Sequence, residues 1–158
     1  MYRITGVPKA YAWGSTSAIP EFMGTEPTGE PVAEVWYGAH PSGPSPISCD
    51  APMPGDARDL RELVLWDTVG VMGVPVTERF AGELPFLLKI IAPAEALSLQ
   101  VHPSKAQAAQ GYREEEAAGI AANSPCRSYK DRNHKPEMVF ALTQFEALCG
   151  FRAPRRAA

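Results

Sequence analysis

The sequence predicts a mainly β protein, an antiparallel sheet or sandwich carrying one helical insertion. Three observations lead there. Proline supplies 16 of 158 residues, about twice its usual share of ~5%, and 13 glycines punctuate the chain further. Such frequent breakers suit short strands and turns and disfavour a helical bundle. The patterned stretches run strand, strand, helical stretch, strand, without the strand–helix alternation that builds a parallel sheet. Finally, 158 residues with 45% hydrophobic and 21% charged content suffice for one domain with its own core.

Taken in order, residues 1–30 are loop-rich, broken by Gly6, Pro8, Gly14, Pro20, Gly24, Pro27 and Gly29. Residues 32–39, VAEVWYGA, have the β-branched and aromatic content of a strand. Residues 40–56 hold too much Pro, Gly and Ser to be regular throughout. Residues 57–67, ARDLRELVLWD, space Leu60, Leu63 and Val64 on one helical side, with Asp56 placed to cap the start. Residues 84–91, LPFLLKII, form a nearly continuous apolar run that predicts a strand buried on both faces. Residues 97–103, LSLQVHP, alternate like a strand. Residues 104–121 turn rich in helix formers, with Ser104 and Gln107 as a capping box and Gly111 expected to divide the stretch in two. Residues 123–136 read as loop, 137–142 as a strand, and 143–151 as one further strand around EALCGF. No internal repeat is present.

Composition removes several classes of function. Net charge is −3, and the basic cluster Arg152, Arg155 and Arg156 sits at the end of the sequence, so clustered cations for nucleic acid are lacking. No apolar run approaches the roughly 18 residues of a membrane helix. MYRITGVPK lacks the apolar region of a signal peptide. Cys49, Cys126 and Cys149 are odd in number and widely spaced, which is neither a disulfide framework nor a cysteine zinc site. They read as reduced thiols in a cytoplasmic protein. No GxSxG, P-loop or GxGxxG pattern occurs.

Three constellations carry chemistry. In LSLQVHP a strand would put Ser98, Gln100 and His102 on one face, with Gln100 and His102 about 6–7 Å apart from a rise of roughly 3.3 Å per residue. That face is either solvated or lines a ligand site. In NHKPEMVFAL, Lys135 and Glu137 share one parity before apolar Val139 and Ala141, and Pro136 forces an extended entry. A carboxylate there is either half of a surface Lys–Glu pair or a metal ligand, since zinc takes His nitrogen and Glu oxygen. Lys89 is the one charge in LPFLLKIIAPA and either snorkels to solvent or faces an anionic ligand. Glu34 and Trp13 invite similar ligand-facing readings, against a solvated strand face for Glu34 and an ordinary core indole for Trp13. His40, in a second His-Pro followed by a turn-rich loop, reads as structural.

YAWGS, AEVWYGAHPSGPS, LPFLLKIIAPAEALSLQVHPSKAQA and YKDRNHKPEMVFALTQFEALCGFR, in this order across residues 1–152, closely resemble the type I phosphomannose isomerases. The resemblance implies a cupin fold, a jelly-roll β-sandwich with a helical insertion. Residues 1–152 would form the N-terminal part of its catalytic domain, with the insertion at about 104–122 and a disordered tail over 153–158. It implies a zinc cofactor held by Gln100 and His102 of QVHP and by Glu137 of HKPEM. It implies interconversion of mannose 6-phosphate and fructose 6-phosphate, which feeds mannose activation for glycan synthesis. His134 and Lys135 become the acid/base candidates, with the choice between them open. Lys89 and Ser98 become phosphate or sugar contacts, Trp13 a pocket wall and Glu34 a polar contact. Members of the family are more than twice this long, and their fourth zinc ligand, a histidine, and an arginine for substrate charge lie downstream of the region matched here. The resemblance therefore implies an incomplete jelly roll, with exposed sheet edges, poor stability and weak zinc affinity for the isolated chain. The missing half would be its partner. A non-catalytic cupin-like module that binds metal or sugar without turnover is the alternative.

Overall fold

The computed structural model describes residues 1–50, 53–97 and 99–150. The chain divides into two compact units, Met1–Ser98 and Leu99–Ala158.

The first unit is built on a three-stranded antiparallel sheet of β2 (Val7–Lys9), β3 (Glu34–Tyr37) and β5 (Leu88–Ile91), with β3 central. The sequence marks β3 clearly, because Val, Trp and Tyr fit a pleated, packed surface. Register pairs Lys9 with Glu34 across one ladder and Trp36 with Lys89 across the other. Directly opposed residues share a face, as do Glu34 and Trp36, two positions apart. The same sheet face therefore carries Lys9, Glu34, Trp36 and Lys89. β1 (Arg3–Ile4) and β4 (Ile47–Ser48) make a second, two-stranded antiparallel pair.

Four short helices complete this unit. α1 (Ala18–Met23) ends on Gly24, whose φ of 70° is the left-handed turn that glycine adopts without strain. α2 (Leu60–Trp66) buries Leu63 and Val64, the residues spaced for it in the sequence. Its cap is Asp59, which accepts from the Glu62 amide at 2.8 Å. Asp56, expected in that role, lies in a single 3₁₀ turn over Pro54–Asp56 with a positive φ of 54°. α3 (Thr68–Met72) is capped by Asp67, which accepts from Gly70 N at 2.9 Å, and α4 (Val74–Arg79) carries Pro75 in its first turn. The core gathers Ile19, Ala33, Val35, Ala57, Leu63 and Val64, with Ser45 fully enclosed.

β5 corrects one expectation. Leu88 and Lys89 are exposed and Ile90 and Ile91 half-buried, so the run is not enclosed on both faces. Apolar content alone cannot separate a doubly buried strand from one covered on a single side.

The second unit is organised by α5 (Lys105–Ala117). Its capping box is complete: Ser104 Oγ accepts from the Gln107 amide, and Gln107 Oε1 accepts from the Ser104 amide at 2.9 Å. Gly111 does not break the helix. It is buried because the Tyr129 ring packs on it, where a Cβ would lie 2.4 Å from Tyr129 Cε2. The stretch 123–136 is irregular, as expected.

The strands expected over 97–103, 137–142 and 143–151 do not form among the described residues, and Ser98 and Phe151 lie outside them. Alternation fixes which side chains would share a face, but a strand also needs a neighbour for its N–H and C=O groups. No such ladder forms here, and Val101 and Phe140 stay 77% and 83% exposed. Helix takes 27% of the described residues and strand 13%. The antiparallel sheets are present, but this balance does not by itself support a mainly β chain.

Candidate functional site

The candidate residues fall into two groups, one in each unit. In the first, Glu34 is buried on the central strand with 7% of its surface exposed. Burying a carboxylate without partners is costly, and two partners are at hand. Trp36 Nε1 donates to Glu34 Oε2 at 2.5 Å, and Lys89 Nζ lies 3.6 Å from the same oxygen. The sheet register makes this possible by setting Lys89 directly across from Trp36. Lys89 Nζ also stands 5.0 Å from the Trp36 ring centre and Lys9 Nζ 4.3 Å from it, at cation–π distance. Lys9 in addition donates to the Ser42 carbonyl at 2.8 Å. His40 meets the Trp36 ring edge-on at 5.1 Å and accepts from the Ser42 amide, in line with a structural role. Lys89 therefore keeps a third of its side-chain surface open while its ammonium is held by a buried acid and an indole.

Trp13 stacks on Tyr11 with ring centres 5.6 Å apart. Burial, and then the negative charge of Glu34, push the Tyr11 phenol above its ordinary pKa. No contact joins Trp13 to Lys89 among the described interactions. Ser98 lies outside the described residues.

In the second unit, His102 Nε2 and Glu137 Oε2 approach to 3.8 Å. Gln100, His102 and Lys135 line one cleft of about 680 Å³. Opposite chemistry comes from the irregular segment after α5, which contributes Ser128, Tyr129, Lys130, Asp131 and Asn133, and from Gln107 of the helix cap. His134 is exposed and is not part of the lining. Imidazole nitrogen and carboxylate oxygen are zinc donors, and 3.8 Å is within the span of two donors each ~2.0–2.2 Å from one ion. The donor pair thus fits a zinc ion; Gln100 lines the cleft with His102, whereas Glu137 is not among the lining residues. No group of three His, Cys, Asp or Glu residues is gathered among the described residues.

The segment 127–133 lies within the stretch 123–136 that the sequence marks as loop. Its signal was Tyr-Lys-Asp-Arg-Asn, six polar or aromatic groups just before HKPEM once Ser128 is included. Arg127, 4% exposed, anchors the segment. It donates to the Ile120 and Tyr129 carbonyls at 2.6 and 2.9 Å, pairs with Glu116 at 2.6 Å and lies 4.7 Å from the Tyr112 ring centre.

A family model of the phosphomannose isomerase type I catalytic domain matches residues 1–154. The chain belongs to the type I phosphomannose isomerases. Its relatives within this family include the mannose-6-phosphate isomerase of Escherichia coli K12, 45% identical over 153 residues. That match covers 96% of this chain and 38% of the relative. The mannose-6-phosphate isomerase of Schizosaccharomyces pombe is 36% identical, covering 96% of this chain and 34% of its own length. Among solved phosphomannose isomerases, the Salmonella typhimurium enzyme bound to fructose 6-phosphate and zinc superposes with a TM-score of 0.73 at 40% identity. The superposition covers 85% of this chain and 33% of that one. The chain thus spans little more than a third of the length of these two relatives.

Proposed function

We propose that this chain carries the N-terminal portion of a zinc-dependent mannose-6-phosphate isomerase, interconverting mannose 6-phosphate and fructose 6-phosphate. The observation that carries the reading is the family match over residues 1–154. The zinc and fructose 6-phosphate in the Salmonella relative support it, as does the His102–Glu137 pair beside Gln100. On this reading the antiparallel sheets are part of a cupin-type jelly roll, and α5 belongs to its helical insertion.

Gln100, His102 and Glu137 would hold the metal. When bound, zinc supplies a Lewis acid for the sugar carbonyl and a template for its oxygens. The chain's own residues do the rest. Aldose–ketose isomerisation moves a proton between C1 and C2, and a positioned acid/base must take it from one carbon and return it to the other. Lys135, on the cleft wall, is the better placed of the two candidates, with His134 its exposed neighbour. Lys89, steadied by Glu34 and Trp36, is assigned to the phosphate or a sugar oxygen, with Ser98 as a further contact and Trp13 as an apolar wall. Glu34 acts through Lys89 as its counterion.

A coupled isomerase assay on the purified chain, with zinc content measured alongside, tests this. Turnover that disappears on chelation and returns with zinc supports the reading. Turnover that survives full chelation, or Glu137→Ala, contradicts it. Binding of zinc and fructose 6-phosphate that the added downstream half does not convert into turnover assigns the chain to the non-catalytic module instead.

A further inference from the structure

The cleft wall formed by Ser128–Asn133 has no regular structure of its own, yet it presents Ser128, Lys130 and Asn133 to the cleft. Its attachment to α5 is specific. Glu115, on the helix, accepts from two successive amides, Ser128 N at 2.9 Å on one carboxylate oxygen and Tyr129 N at 2.8 Å on the other. A carboxylate that takes two adjacent N–H groups fixes the peptide plane between them as well as its distance, and such charge-assisted bonds are the stronger kind. Two further contacts make the clamp one-sided. The Tyr129 ring packs onto buried Gly111, one turn back along the helix. The Arg127 guanidinium, enclosed beneath, lies 3.7 Å from Glu115 and donates to the Tyr129 carbonyl. Of the three successive glutamates on α5, Glu114 bonds Gln110 of its own helix and Glu116 bonds Arg127. Only Glu115 receives the backbone of the wall among the described bonds.

We propose that Glu115 is a positioning residue, whose carboxylate, backed by buried Arg127, sets the Ser128–Asn133 wall of the cleft against α5. Lys130 and Asn133 then face the cleft because the peptide before them is clamped. The consequence for ligand binding rests on the phosphosugar reading above; the clamp itself does not.

The test is amide hydrogen exchange by NMR on the full chain and on Glu115→Gln, Glu115→Ala and Glu114→Gln. Loss of a charge-assisted acceptor makes exchange at Ser128 and Tyr129 roughly tenfold faster in both Glu115 variants. Shift changes run on to Asn133, while the rest of residues 99–150 and the Glu114→Gln control keep their rates. Unchanged exchange at Ser128 and Tyr129 overturns the proposal. So does a uniform rise across 99–150, which is what a merely structural residue gives. A fructose 6-phosphate titration, read at Lys130 and Asn133, adds the functional arm, with affinity about tenfold weaker in Glu115→Gln. If the unsubstituted chain shows no sugar-dependent shifts, the phosphosugar reading falls, and the exchange data still decide the clamp.

Discussion

At the scale of single residues, charge is the costly quantity in this molecule, and the sequence handles it by pairing. Glu34 is the clearest case, a buried carboxylate whose Oε2 serves both the Trp36 indole and the Lys89 ammonium. Glu34→Ala leaves both donors without their acceptor. We expect a loss of about 1–3 kcal/mol in denaturant unfolding, with a change in Trp36 fluorescence. A Glu34→Ala protein as stable as the parent contradicts that account. Glu115 gives a pH signature. The Ser128 amide, then the Tyr129 amide and the Arg127 charge, outweigh desolvation and hold its carboxyl below the usual range. A depressed folded value means the stabilisation is complete above the unfolded carboxylate value of ~4.3 and is lost as pH falls through the folded value. Protection of the Ser128 and Tyr129 amides should therefore be constant from neutral pH down to about 5 and fall below about 4. A rise in protection on acidification contradicts the sign.

At the scale of elements, one capping box and one apolar spacing made two helices legible. The Ser104–Gln107 box announced α5, and the Leu60–Leu63–Val64 spacing announced α2. α3 and α4 fall in a stretch, 68–79, for which the sequence patterns offer no element; Gly73 is their junction and Pro75 sits in a first turn that needs no amide there. Gly111 was misread because its missing side chain makes room for Tyr129, a contact 18 positions away that no local pattern contains. This yields a sharp test. Helix propensity alone makes Gly111→Ala stabilising by about 1 kcal/mol. With Tyr129 in place the added methyl meets the ring, so the substitution should destabilise the second unit. In a Tyr129→Ala background it should stabilise. The same sign in both backgrounds removes the packing explanation. Ser104→Ala should cost about 1 kcal/mol by thermal unfolding, as loss of a cap does.

At the scale of the whole molecule, the face logic of LSLQVHP and HKPEM is matched by one contact, His102 meeting Glu137 at 3.8 Å. It failed on conformation, because both segments lie outside any ladder among the described residues. Periodicity records which side chains would point together; it does not supply the partner strand. Lys89 and Glu34 form a pair that only the register of β3 and β5 reveals. No helix among the described residues is long and apolar enough to cross a membrane. The second unit nonetheless exposes Met138, Val139, Phe140 and Leu142 in nearly consecutive positions. Apolar surface of that kind promotes association. Raising concentration should increase particle size in light scattering, and Phe140→Ser should reduce the effect; identical behaviour of the two proteins contradicts this.

On the proposed function, Gln100, His102 and Glu137 would hold one zinc ion. Calorimetric titration of zinc into the metal-free chain, beside the same titration of Glu137→Ala, tests it most directly. The account predicts saturable binding of one ion per chain, weakened by at least about tenfold in the variant, since a zinc site loses affinity steeply with each missing donor. Equal zinc affinity in the two proteins, or no binding by either, contradicts it.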